Sequence, residues 1–125
     1  MQTTLSTAVT LSGTGLHSGR PAELRLLPAA AGSGIRFRRL DRPGADIPAL
    51  WDRVEQAPLC TRLVGADGTT VSTVEHLMAA AAGSGLTNMV AELSGPELPI
   101  LDGSAAPFVR AIARAGLRRQ DAALR

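Results

Sequence analysis

Alternating apolar and polar residues predict β-strands along the first half of the chain. Residues 3–11 alternate moderately and are expected to form one strand that ends at Gly13. Residues 22–27 (Ala-Glu-Leu-Arg-Leu-Leu) alternate apolar and charged side chains, which is typical of a half-buried strand, and Pro28 is expected to end it. Residues 34–40 repeat the same pattern. The N-terminal part is therefore predicted to be a set of short strands joined by turns.

A hairpin and one further strand are predicted in the middle of the chain. Residues 59–64 and 69–71 flank the sequence Gly-Ala-Asp-Gly, which strongly favours a hairpin turn. Residues 88–93 again have the composition of a strand. Strands are thus predicted both before and after residues 72–82 in the sequence.

Two helices are predicted in the second half. Residues 72–82 are rich in helix formers, and Gly-Ser-Gly at 83–85 is expected to end this helix. A second helix is expected over 105–115, with Pro107 in its first turn and Gly116 just beyond its end. Strands followed by two late helices predict an α+β fold, a two-layer sandwich in which both helices cover one face of a largely antiparallel sheet of about five strands.

Composition limits the classes of function. At 125 residues the chain is one domain or one half of a larger one. A net charge of +2 and 2% aromatic residues give no basis for nucleic-acid binding, because bases would find few side chains to stack on. The sequence contains neither an apolar run of transmembrane length nor a secretory signal, so a cytoplasmic protein without a membrane span is expected. A single cysteine, Cys60, excludes an internal disulfide and a cysteine-cluster zinc site.

The segment 72–76 (Ser-Thr-Val-Glu-His) has two interpretations. Ser72 as N-cap and Glu75 three residues later form the pattern of a capping box at a helix start. Alternatively, the carboxylate and the imidazole of His76 serve a catalytic site. Neighbours in a helix diverge by about 100°, too far to bind one metal together, but the imidazole can bind a metal while the carboxylate faces a water on it. Both interpretations stay open on the pattern alone.

Two other segments carry polar groups whose roles the pattern leaves open. Residues 13–19 (Gly-Thr-Gly-Leu-His-Ser-Gly) form a glycine-rich turn between strands, and His17 is either a site residue or an exposed loop residue. Within residues 96–108 (Pro-Glu-Leu-Pro-Ile-Leu-Asp-Gly-Ser-Ala-Ala-Pro-Phe), Asp102 or Ser104 has the chemistry of a helix cap.

Taken together, the ordered segments 13–19, 59–61, 72–77 and 96–108 resemble the N-terminal domain of UDP-3-O-acyl-N-acetylglucosamine deacetylases, the lipid A enzymes of Gram-negative bacteria. The resemblance covers about residues 3–117. It implies an enzyme of two similar domains, each a five-stranded sheet with two helices, with the active site between them.

The resemblance also implies site residues. In the resembled family, a general base would take a proton from a zinc-bound water. That water would attack the acetamide carbonyl at C2 of the sugar, with release of acetate. The matching positions are Glu75 as general base, His76 as the first of three zinc ligands, Leu59, Cys60 and Thr61 on a strand lining the substrate cleft, and His17 and Asp102 near the site.

The implied zinc site is incomplete in this sequence. In the resembled family the other two ligands, a His and an Asp four residues apart on one helix, belong to the second domain, and this chain has only His17 and His76. A catalytic zinc takes three protein ligands, so the chain alone is expected to be inactive. We expect residues 1–117 to be the N-terminal domain and 118–125 to be the start of a linker or a truncated tail. Three hypotheses follow: part of the deacetylase, a split subunit that pairs with a complementary second domain, or a stand-alone non-enzymatic domain.

Overall fold

The computed structural model describes residues 1–57 and 60–123, apart from the side chains of Trp51, Gln56 and Ala57. The described part contains short strands, a 3-10 turn at Trp51–Arg53, and two helices of ten residues each. The elements are β1 (Gln2–Leu5), β2 (Val9–Thr14), β3 (Pro21–Leu27), β4 (Ile35–Arg39), β5 (Asp46–Pro48), β6 (Val54–Ala57), β7 (Cys60–Val64), β8 (Thr70–Ser72), α1 (Glu75–Ser84), β9 (Met89–Leu93), α2 (Ala106–Ala115) and β10 (Leu117–Gln120).

The main sheet has five strands in the order β2-β3-β9-β4-β5. Its pairs are antiparallel except for β4 and β9, which run parallel. On β3 the side chains of Leu24 and Leu26 are fully buried, whereas Glu23 and Arg25 are exposed, so one face of the sheet is covered and the other meets solvent. The predicted α+β class, with a largely antiparallel sheet of this size, is confirmed.

Helix α2 packs against β2 of the main sheet and against α1. The buried side chains of both helices join those of the strands in one apolar core. Among the largest fully buried side chains are Phe37 on β4, Leu77 on α1, and Phe108 and Ile112 on α2. Because α1 carries Glu75 and His76 in its first turn, this packing fixes the orientation of both side chains.

Beside the main sheet lies a small antiparallel sheet, β6-β7-β8. The turn between β7 and β8 forms over the predicted Gly-Ala-Asp-Gly sequence: the amide of Gly68 donates to the carbonyl of Gly65, and Gly68 has a φ of 84°. The predicted hairpin is confirmed. It brings the end of β8, and so the start of α1, next to β7.

The single strand predicted over residues 3–11 is wrong. The chain forms two strands there, and they belong to different sheets. Between them the amide of Ser6 donates to the carbonyl of Gly116, and the hydroxyl of Thr7 donates to that of Ala115. These bonds to the end of α2 redirect the chain, which an alternation pattern cannot show.

The segment after Gly116, where residues 118–125 were expected to be the start of a linker or a truncated tail, begins with a strand. Strand β10 pairs antiparallel with β1, and the side chain of Gln120 accepts a hydrogen bond from the buried amide of Asn88. Backbone pairing explains this strand, since the side chains of Leu117, Arg118 and Arg119 are exposed. A domain division at residue 117 remains a prediction.

Helix α1 begins later than predicted. Ser72 is not its N-cap, because this residue ends β8: its amide donates to the carbonyl of Pro96, and its carbonyl accepts from the amide of Leu98. The N-cap is Val74, and no side-chain cap bond forms, so the capping-box interpretation is wrong. The helix ends as predicted within the Gly-Ser-Gly sequence, at Gly85.

Among the residues that the structure describes, no helix is both long and apolar enough to cross a membrane.

Candidate active site

The start of α1 is held by the backbone of one residue on β7. The carbonyl of Thr61 accepts the amides of Thr73, at 2.9 Å, and Val74, at 3.4 Å. The amide of Thr61 donates to Oε2 of Glu75 at 2.8 Å. The Glu75 carboxylate is therefore tied to a strand that lies fourteen residues earlier in the sequence. This tie replaces the local capping bond that the sequence pattern predicted.

The second carboxylate oxygen of Glu75 has no partner in the part of the chain that the structure describes. Oε1 is buried and accepts no hydrogen bond within the described structure. A buried acceptor without a donor costs about 1–3 kcal/mol, which favours a water, a substrate proton or a cation at this position. The oxygen belongs to a residue that lines a cleft of about 260 Å³. The other walls of this cleft, which we call the Glu75 cleft, are mainly apolar: Ala49, Leu50, Val54, Thr61, Leu63, Val74 and Met78.

A second cleft, of about 480 Å³, lies on the other side of β7. Cys60 and Arg62 line this cleft, whereas Thr61 and Leu63 line the Glu75 cleft. This division follows from the strand geometry, in which successive side chains point to opposite faces. The second cleft, which we call the His17 cleft, is lined by His17, Ser18, Cys60, Arg62, Ser72, Pro96 and Glu97.

The structure thus brings the predicted site residues together in part. His17 and Cys60 share one cleft, and Thr61 and Glu75 share the adjacent one. His76 follows Glu75 in the first turn of α1 and is half-buried. Leu59 lies outside the described residues.

Asp102 lines neither cleft and is exposed. Its Oδ1 accepts hydrogen bonds from the hydroxyl and the amide of Ser104, at 2.7 and 2.9 Å. These bonds, led by the one from the hydroxyl, lower the pKa of the Asp102 carboxyl. Ser104 in turn accepts from the amide of Ala106, the first residue of α2. Asp102 therefore orders the turn before α2.

A carboxylate that the sequence analysis left without a role, that of Glu97, lies between two of the predicted segments. It is buried, with only 6% of its surface exposed. Oε2 accepts the amide of His17 at 3.0 Å and the hydroxyl of Thr73 at 3.1 Å, and Oε1 accepts the amide of Ser18 at 3.0 Å. Glu97 therefore connects the glycine-rich loop to the residues just before α1.

The surroundings of Glu97 favour its charged form. Burial raises the pKa of this carboxyl, but hydrogen bonds from the amides of His17 and Ser18 and from the hydroxyls of Ser18 and Thr73 outweigh it. The pKa consequently lies below its ordinary value of 4.5. A side chain at Gly15 would collide with Oε1 of Glu97, so glycine is needed there for the loop to approach the carboxylate.

The sequence offers one signal for Glu97. It is the only charged residue between Pro96 and Leu101, a segment that is otherwise apolar, and charged residues are almost never fully buried unless they are paired. Its partners, however, lie 80, 79 and 24 residues away along the chain. No local pattern reveals such bonds.

Acid should weaken the fold partly through Glu97. Because its folded pKa is depressed, its contribution to stability is present above the unfolded pKa and is lost as pH falls through the folded pKa. We expect the free energy of unfolding to decrease below about pH 5, and Glu97→Gln to remove part of that decrease. Urea unfolding of both proteins between pH 3 and pH 7 measures it, with exposed Glu23→Gln as the matched control. A difference between Glu97→Gln and wild type that does not change with pH would contradict the prediction.

The described residues fit part of a metal site. They contain no group of three or more His, Cys, Asp or Glu side chains placed to hold a metal ion. The half-buried imidazole of His76 and the unpartnered Oε1 of Glu75 are donors of the kind that zinc binds, but a catalytic zinc takes three protein ligands. Any complete zinc site would need ligands from beyond the described residues.

Comparison with known proteins identifies the family. Residues 2–125 match the family model described as LpxC, UDP-3-O-acyl N-acetylglycosamine deacetylase. The chain belongs to this deacetylase family. The resemblance inferred from the ordered segments is thereby confirmed.

Curated deacetylases of the same family are similar to this chain over nearly its whole length. The UDP-3-O-acyl-N-acetylglucosamine deacetylase of Vibrio vulnificus (strain YJ016) is 50% identical over 125 residues, 99% of this chain and 41% of that protein. Those of Aliivibrio fischeri and Shewanella halifaxensis are 49% and 46% identical over 123 residues, 98% of this chain and 40% of each relative. The chain therefore spans about two fifths of the length of these deacetylases.

Proposed function

We propose that this chain forms the N-terminal part of a zinc-dependent UDP-3-O-acyl-N-acetylglucosamine deacetylase, in which Glu75 is the general base and His76 one zinc ligand. The observation that carries the proposal is the state of the Glu75 carboxylate. One oxygen is fixed by the amide of Thr61, and the other is buried without a donor among the residues that the structure describes. A general base needs such an oxygen, fixed in position and free to accept a proton.

The surroundings of Glu75 suit proton transfer. Its cleft is walled mainly by apolar side chains, beside which electrostatic interactions are stronger than in bulk water. Glu75 also lies at the N-terminal end of α1, where the positive end of the helix dipole is beside the carboxylate. Because Oε2 is engaged by Thr61, Oε1 is the oxygen assigned to accept the proton.

A second polypeptide segment is needed to complete the proposed centre. Zinc, when three ligands hold it, supplies Lewis acidity for hydrolysis of an amide carbonyl. The described residues offer His76 as one ligand. Leu50 and Val54, which line the Glu75 cleft, are 51% and 43% exposed, and this apolar rim suits coverage by a further domain or by the acyl part of a substrate.

The proposed substrate comes from the relatives' names, which describe deacetylases of UDP-3-O-acyl-N-acetylglucosamine. A cytoplasmic location stays a prediction. The split-subunit hypothesis differs only in whether the remaining ligands arrive on a separate chain. The non-enzymatic hypothesis differs in outcome, since a remnant would fold but support no catalysis in any context.

A hybrid enzyme tests the proposal. This chain would replace the matched part of the Vibrio vulnificus deacetylase, and acetate release from UDP-3-O-acyl-N-acetylglucosamine and zinc content would both be measured. We expect the hybrid to release acetate and to contain stoichiometric zinc, because His76 completes a three-ligand site there. The 125-residue chain alone should do neither.

Two histidine variants test whether His76, rather than His17, is the zinc ligand. His76→Ala in the hybrid should remove most of the zinc, whereas His17→Ala, the matched control, should retain it. Stoichiometric zinc held tightly by the isolated chain would overturn the shared centre. A folded hybrid that contains zinc but releases no acetate would favour the non-enzymatic hypothesis.

A further inference from the structure

We propose that Glu97 is a positioning residue that fixes the loop carrying His17 relative to the first turn of α1, which carries Glu75. The geometry of this link stands on its own. Its consequence for catalysis rests on the proposed function.

The link uses both oxygens of one buried carboxylate. The amides of His17 and Ser18 donate to different oxygens of Glu97, so the loop is held at two points. The hydroxyl of Thr73 donates to Oε2, the same oxygen that His17 reaches. Hydrogen bonds to a charged acceptor are roughly twice as strong as neutral ones. The loop and the entry to α1 therefore share one strong acceptor.

The backbone around Glu97 is also fixed to the segment before α1. The amide of Ser72 donates to the carbonyl of Pro96, and the amide of Leu98 donates to the carbonyl of Ser72. Glu97 and Ser72 form a parallel β-bridge. The backbone that carries the Glu97 carboxylate is thus fixed in position relative to α1.

The backbone of Thr73 is strained, and the hydrogen bond to Glu97 stabilises this strained conformation. Its φ is 64°, a left-handed conformation that is unusual and unfavourable for a β-branched residue. Two hydrogen bonds hold it there: its amide donates to the carbonyl of Thr61, and its hydroxyl donates to Glu97. Without the second bond, Thr73 can relax and turn the start of α1, two residues before Glu75.

Glu97→Gln tests the acceptor with almost no change in shape. The amide group of glutamine carries one acceptor oxygen in place of two and presents N–H groups to N–H donors. Thr73→Val removes only the hydroxyl and so breaks only the α1 side of the link. Thr73→Ser restores the hydroxyl, and Glu23→Gln is the control for removing an exposed carboxylate.

The first experiment uses the 125-residue chain and measures amide hydrogen exchange by NMR. Glu97→Gln should raise the exchange rates of the His17 and Ser18 amides by roughly tenfold to a hundredfold, because each amide loses a charge-assisted hydrogen bond. Thr73→Val should leave these two amides protected and raise exchange only at Thr73 and Val74. Thr73→Ser should restore the wild-type rates, and Glu23→Gln should change none of them.

Two results of this experiment would overturn the link. One is unchanged exchange of His17 and Ser18 in Glu97→Gln. The other is faster exchange of Thr73 and Val74 in Thr73→Ser to the same extent as in Thr73→Val. If Glu97→Gln does not fold, the comparison of the two Thr73 variants decides.

The second experiment measures kcat and KM in the hybrid enzyme. Thr73→Val displaces only the Glu75 side, so kcat should fall roughly tenfold with KM unchanged, because small misplacements of catalytic groups are costly. Glu97→Gln should also raise KM, since the loop with His17 lines the adjacent cleft. Unchanged kcat in Thr73→Val would refute the positioning role. An inactive wild-type hybrid would instead count against the proposed function, and the exchange data would still decide the link.

Discussion

Glu75→Gln should lower kcat of the hybrid deacetylase by about 10²- to 10⁴-fold, the usual contribution of a general base. Glutamine has nearly the same shape, and its carbonyl oxygen can still accept the amide of Thr61, so the start of α1 should keep its structure. The buried position of Oε1 would then hold no carboxylate oxygen to take up a proton. Steady-state acetate release measures kcat, and urea unfolding checks that stability is retained.

Glu92→Gln is the matched control for this prediction. Glu92 is half-buried on β9 and lines neither cleft, so the same change of carboxylate to amide should alter kcat less than about threefold. A loss in Glu75→Gln no larger than in this control would refute the assignment of the base. A loss of both activity and stability would instead indicate that the tie to Thr61 had been broken.

The parts of the fold that could be predicted are those set by local sequence. Strand β3 follows from strict alternation, the β7–β8 hairpin from its turn residues, and the end of α1 from Gly85. One error and one strand that the sequence did not indicate occurred where distant backbone groups decide the structure. Ser6 and Thr7 bond to the end of α2 and divide the first strand, and β10 forms by pairing with β1 despite its polar side chains.

The site shows the same division. Glu75 and His76 were predicted as site residues because four ordered segments together resemble a known family, and their roles stay predictions. The capping box was wrong because Ser72 is engaged in strand pairing and the carboxylate bonds to Thr61. Glu97 was missed because the three residues that donate hydrogen bonds to it lie far away in the sequence. The resemblance indicated candidate residues, and tertiary contacts determine what holds those residues in place.

Phe108→Ala should lower the free energy of unfolding by about 3–5 kcal/mol, the usual loss for a fully buried phenylalanine. Phe108 on α2 is 1% exposed, and the chain contains only two phenylalanines and no tyrosine. Many buried positions of the two helices are alanine, which has no side-chain rotamers with which to fill the cavity. Since small domains are typically stable by about 5–15 kcal/mol, the variant should be partly unfolded at moderate temperature. Urea unfolding measures the loss.

The neighbouring residue supplies the control. Val109 lies on the same helix but is 43% exposed, so Val109→Ala should cost no more than about 0.5 kcal/mol. A small loss in Phe108→Ala, similar to that of the control, would show that α2 is not required to hold the core. A large loss has a functional consequence, because α2 packs against α1 and so supports the helix that presents Glu75 and His76. The hybrid carrying Phe108→Ala should then lose activity at the temperature at which it unfolds, below that of the control.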